Sequence, residues 1–111
     1  MRKITVLKVE PKKEPYTVDI EGNDSWDLFC NMRNEIDAEL AQILTLRVAE
    51  GRCIVLFLDD EGKLTGKEYC RKLFADYIAG TFLVVAFNEH FGEYTSLSEE
   101  EIKEQTGHWK L

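Results

Sequence analysis

"TFLVVAFNEHFGEYTSLSEEEI", Thr81–Ile102, decides how the rest of the chain is read. Phe82–Phe87 has no charge and no alternation, which is the pattern of a strand covered on both faces at the centre of a sheet. "NEHFGEY" then supplies a loop with Gly92 in it. "SLSEEEI" starts a helix on three local signals. Ser98 is the N-cap, Glu101 is its capping-box partner, and Leu97 and Ile102 stand at the two positions of a hydrophobic staple.

Upstream of this strand, "KEYCRKLFADYI" spaces Tyr69, Leu73 and Tyr77 by four, which predicts a short helix or turn ended by Gly80. "ILTLRVAEGRCIVLFLDD" predicts a hairpin of β-branched residues turned at Gly51. A helix is expected from Ser25 to Glu35, where Trp26, Phe29, Cys30, Arg33 and Ile36 recur at three and four. Asn23, Asp24 and Ser25 are its candidate N-caps, and Asp27 lies in its first turn. At the start, "ITVLKVEP" and "YTVDIEG" both alternate, and the proline-flanked "KKEP" between them predicts an opening hairpin. The expected fold class is α+β, one small domain over residues 1–111 whose last few residues can fray. A mostly antiparallel sheet of about five strands carries two or three helices. The covered face is expected to bring Trp26, Phe29, Ile36, Leu73 and Ile102 against Val55, Phe57, Phe82 and Val84.

A chain of 111 residues, 44% hydrophobic and 32% charged, supports a core without staples. It has no apolar run of transmembrane length, and "MRKITVLKVEPKK" lacks a signal-peptide core, so a cytoplasmic location is expected. Three cysteines at wide spacing, Cys30, Cys53 and Cys70, predict no disulfide framework. The net charge is −7, and residues 23–60 hold eight acidic against three basic side chains. Direct nucleic-acid binding needs a basic face to displace phosphate counterions, which this balance disfavours.

The stretch with the strongest chemical appearance is "FLDDEGKLTGKE", Phe57–Glu68. A calcium loop needs oxygen ligands at its first, third and fifth positions and glycine at the sixth. Started at Asp59, the fifth and sixth positions are Lys63 and Leu64; started at Asp60, the third is Gly62. Both registers fail, and the residues read as a solvated turn with Gly62 free to adopt a positive φ. A catalytic carboxylate pair would need one raised pKa, for which Asp76 beside "YIAGTF", with Glu89 or Glu93, is the candidate. A thiolate would need His90 or His108 as base, and a zinc site from Cys30, Cys53, Cys70 and His90 lacks any close ligand pair. Neither GxGxxG nor GxxxxGK[ST] is present, so no phosphate or cofactor loop is expected. No residue is assigned a catalytic, cofactor-binding or metal role.

The succession "ITVLKVEP", "YTVDIEG", "IVLFLDDEGKL", "DYIAGTFLVVAFNEHFGEYTSLSEEEI" resembles the DUF3846 family, whose members carry an acidic "DEEGKL"-like turn, an "I-x-G-T-F" strand and a closing helix start. The resemblance implies no activity and no inherited catalytic residue. It implies a bacterial, mobile-element setting of phages, plasmids and conjugative elements. The function expected is therefore a small acidic accessory protein that binds a protein partner without catalysis. DNA mimicry or counter-defence through Asp24, Asp27, Asp37 and Glu39 is a sharper form of it. The alternative is a small-ligand or nucleotide-sequestering protein with a groove at Tyr77, Gly80, Phe91 and Tyr94; an enzyme with a diffuse site ranks last.

Overall fold

A computed structural model describes all residues, 1–111. Ten elements follow one another: β1 (Arg2–Val9), β2 (Tyr16–Gly22), α1 (Ser25–Glu35), β3 (Ala41–Ala49), β4 (Arg52–Asp59), β5 (Tyr69–Leu73), β6 (Asp76–Ala79), β7 (Phe82–Asn88), β8 (Glu93–Thr95) and α2 (Glu99–Trp109). The main sheet has six strands rather than about five, in the order β2-β1-β7-β4-β3, with β8 also paired to β7; every pairing is antiparallel. β5 and β6 form a separate two-stranded sheet.

β7 has no free edge. One side pairs with β4 from Leu83 to Asn88. The other pairs first with β1 at Phe82–Val84 and then with β8 at Ala86–Asn88. Its uncharged run is needed because both faces are covered. On one face α1 brings Leu28, Met32 and Ile36 against Ile4, Val6, Ile20, Val55, Phe57, Leu83 and Val85. On the other, Cys70 and Ile78 of the β5–β6 pair, Leu97 just before α2 and Trp109 of α2 meet Leu7, Val9, Ile54, Leu56, Phe82, Val84 and Ala86. The one-sided core expected from the sequence is thus two cores. Val55 and Phe57 serve the first, Phe82 and Val84 the second, while Trp26 is 66% exposed.

The helix ends behave as their residues dictate. α1 spans the expected residues with Asp24 as N-cap, its Oδ1 accepting from the Asp27 backbone N–H at 2.9 Å. The Ser98–Glu101 capping box is present in full, and Leu97 and Ile102 pack in the same cluster. α2 runs to Trp109, whose ring is buried and meets Phe82 edge-on at 5.0 Å. Glu50 and Gly51, both at positive φ, turn β3 into β4, a geometry that matches the twist of a hairpin.

Two further expectations fail. "KEYCRKLFADYI" is a β-hairpin, not a helix or turn, with Phe74 and Ala75 at its tip. Tyr69 and Tyr77, four-spaced from Leu73, meet across the two strands with ring centroids 5.7 Å apart. Gly62 is not at positive φ; that conformation belongs to Gly66 (φ +76). Gly62 is needed for a close approach, since a Cβ there would stand 2.6 Å from the Ala79 carbonyl oxygen. No helix is long and apolar enough to cross a membrane.

A cleft along the β3 edge

The acidic turn is tied down rather than open. Asp59, almost wholly buried, accepts the Glu61 N–H on Oδ1 at 2.9 Å and pairs with Lys67 Nζ through Oδ2 at 2.7 Å. The same ammonium donates to the Ile36 and Asp37 carbonyls at 3.2 and 2.6 Å. One lysine therefore binds the end of β4 to the C-terminal end of α1, where a cation also meets the helix dipole favourably. Asp76 is exposed, and its carboxyl is held below the usual range by hydrogen bonds from Lys63 and the Tyr77 N–H. The raised acid expected there is not found.

The three cysteines lie apart: Cys30 on α1, Cys53 under the α1 face and Cys70 in the opposite core. The Cys53 Sγ donates to Glu89 Oε1 at 2.8 Å, and that carboxylate holds its pKa up. Burial lifts Cys70 to about 11. Both sulfurs are poor thiolates at neutral pH.

The residues expected to form a groove do not converge. Tyr94 is buried in the α1-side core against Phe57 and Phe87, and lines a 280 Å³ recess with Ile43, Cys53 and Glu89. Tyr77 is on β6 over the opposite face, Gly80 follows β6 at φ +84 beside Lys67, and Phe91 is exposed in the β7–β8 turn. The expected acidic set is also divided. Asp24 and Asp27 cap the start of α1, whereas Asp37 and Glu39 follow its end, about 16 Å away along an 11-residue helix.

What the fold assembles instead lies along β3. In the β3–β4 ladder the register shifts between Thr45 and Arg47, leaving Leu46 without a partner. An extra residue in a strand re-aims its neighbours. Here Leu46 packs toward the α2-side core while the Arg47 guanidinium pairs with Glu104 of α2. Beneath that ion pair is a cavity of about 450 Å³ lined by Leu46, Leu73, Phe74 and Trp109, with Lys72, Gln105 and His108 among its polar walls. Gln105 is buried and accepts the Trp109 indole N–H at 2.9 Å. A second cavity of about 420 Å³ continues past Leu73, which lines both, along Gln42 and Leu44 to Asp60, Lys63 and Tyr77.

Two features set this side apart from the rest of the fold. Phe74, at the hairpin tip over the first cavity, is 82% exposed and held at φ +53. A bulky residue with positive φ carries roughly 1–2 kcal/mol of strain, so neither its ring nor its backbone serves the turn. β3 itself has no partner on its outer side. It exposes Ile43 (43%) and Val48 (58%), and Arg47 is its only charge. The sequence assigned no role to Leu46, Arg47 or Lys72, and Phe74, one of the C-terminal aromatics expected mostly in the core, is exposed instead.

A family model described as Domain of unknown function (DUF3846) matches residues 3–110. Comparisons with curated proteins and with solved structures yield no match.

Proposed function

From the premise that this chain belongs to the DUF3846 family, we propose that it is a non-catalytic accessory protein of a bacterial mobile element that holds another protein along β3. The observation that carries this reading is the free β3 edge. A nine-residue strand with unpaired backbone groups, Ile43 and Val48 exposed toward one face and a cleft on the other, is a template for strand addition by a partner. Mimicry of nucleic acid is the weaker form. Asp24 and Asp27 are engaged in capping α1, and Asp37 and Glu39 sit at its far end.

The test is capture of partners from bacterial host lysate by the immobilised chain, with two matched edge variants. Ile43→Lys places a charge on the β3 edge and should abolish capture. Thr17→Lys places one on the β2 edge and should leave capture intact. Capture that is indifferent to Ile43→Lys, or absent with the parent chain, ends the proposal.

Capture of a small ligand is the second reading, favoured by the 450 Å³ cavity, a volume within the roughly 300–1,000 Å³ of ligand pockets. A thermal-shift screen with nucleotides would show a rise in Tm that Trp109→Ala or Leu73→Arg removes; no rise with any of them removes this reading.

A further inference from the structure

The β3 cleft has an electrical polarity. Resting on the partner-binding reading above, we propose that it takes an extended acidic-apolar segment of the partner. In that segment one carboxylate and two apolar side chains occupy alternate positions. The carboxylate lies against Lys72 and His108, and the apolar side chains lie over Leu46, Leu73 and Leu44.

The charge argument begins with the balance of the molecule. A chain of net charge −7 gathers Arg47 and Lys72 around one end of the cleft, with the His108 ring beside them. Lys110 lines an adjoining recess that shares Lys72, His108 and Trp109. The only acid lining the first cavity is Glu104, and Arg47 already neutralises it. Lys72 and Lys110 make no ion pair. Behind them Arg71 is buried with no carboxylate partner. It donates to the carbonyls of Trp109 at 2.7 Å, Cys70 at 2.8 Å, Lys13 at 2.6 Å and Glu10 at 3.3 Å. Glu10 and Glu68 act on the neighbouring Cys70 thiol alongside it and Glu14 accepts the Leu111 N–H, so the positive end of the cleft rests on the unpaired Lys72.

The other end has the opposite sign. Asp59 is paired with Lys67 and Asp76 with Lys63, which leaves Asp60 unpaired beside Gln42, Leu44 and Tyr77. A carboxylate is attracted at the Arg47 end and repelled at the Gln42 end, and this difference fixes the direction of the bound segment. All pairings in the sheet are antiparallel. An antiparallel addition to β3 sets the segment's N-terminal end beside Arg47, so the acidic residue precedes the apolar ones. Alternate residues of a strand point to one face about 6.8 Å apart. The recognised pattern is therefore acidic-x-apolar-x-apolar, with backbone hydrogen bonds to β3 giving affinity and the cleft giving selectivity.

Selection of a displayed random peptide library on the full chain tests this. Enriched peptides should share that pattern, and the best of them should bind at least tenfold more weakly when Lys72 and His108 are both changed to Glu, and more weakly in high salt. Selection on this charge-reversed variant should bring Lys or Arg to the same position. If the double variant does not fold, Lys72→Ala with the salt series replaces it. N-methylation of alternate peptide amides should abolish binding in one of the two registers. Three outcomes overturn the proposal: enriched peptides without charge preference, binding that ignores Lys72, or a dimer of this chain that occupies β3 and is dispersed by Ile43→Lys. The first two leave the partner-binding reading standing provided Ile43→Lys still abolishes peptide binding. Loss of that dependence removes both.

Discussion

The main sheet has two edge strands, and they are built to different rules. β2 carries Asp19 and Glu21 in seven residues, and Asn31 of α1 donates to the Glu21 carbonyl at 2.5 Å, occupying part of the edge backbone. Thr5 adds a side-chain bond to Asp19 at 2.8 Å. β3 is longer, has one arginine and no acid, and nothing of the chain lies along its outer side. Charges and covering groups are the usual defences of an edge against stray pairing. One edge is defended and the other is left apolar beside a cleft, and the proposed docking rests on that difference.

Removing the strand between the edges should have the largest effect. β7 alone joins the β1–β2 half to the β3–β4 half, and Val84 is fully buried on it, paired with Leu7 and Leu56. Val84→Asp puts an unpaired charge into the α2-side core, a penalty of several kcal/mol against a total stability of about 5–15 kcal/mol. The variant should be unfolded by circular dichroism at 25 °C. An unchanged melting curve would contradict both the core and the dependence of the two edges on it.

A medium effect is expected where β4 meets α2. Arg52, at the start of β4, donates to Glu101 of α2 at 2.5 and 2.9 Å, and this holds the Glu101 carboxyl at about 2 against an ordinary 4.5. The folded form therefore favours the ionised acid. Its contribution is complete above pH about 4.5 and is lost as pH falls toward 2. Tm should decline across that window. Glu101→Gln should melt lower at pH 7 and decline less below pH 4.5, because the titrating group is gone. A parallel decline in parent and variant would assign the acid sensitivity to other carboxylates.

The contrast between the edges was half legible in the sequence. β3, β4 and β7 stand out because β-branched runs and the Glu50–Gly51 turn are local signals, and both helices declare themselves through Asp24 and the Ser98–Glu101 box. The β5–β6 hairpin does not, because Phe74–Ala75 is no turn signature and a spacing of four between Tyr69, Leu73 and Tyr77 imitates a helix. The candidate site was hidden for a related reason. It depends on the unpaired Leu46, which sends Leu46 and Arg47 toward α2, and on a hairpin tip folded back over β3. Neither is a property of any short window of residues. The groove expected from Tyr77 and Tyr94 failed because Tyr94 is on β8 in the α1-side core, whereas Tyr77 is on β6, whose hairpin packs on the other face.

Phe74 gives the smallest effect on the fold and the sharpest separation of fold from function. At φ +53 its backbone is in a region that glycine enters freely, and its ring, 82% exposed, contributes little to the core. Phe74→Gly removes roughly 1 kcal/mol of strain and adds a similar entropy cost in the unfolded chain, so stability should change by less than about 1 kcal/mol in either direction. If the ring exists to roof the cavity beside β3, the same change should weaken partner or peptide binding at least fivefold while Tm stays within a few degrees. A matched Phe91→Gly in the β7–β8 turn, where the ring is 75% exposed but lines neither cavity of the cleft, should leave binding unaltered. Equal losses from both variants would mean that exposed aromatics act without regard to place, and the asymmetry of the two edges would then have no functional meaning.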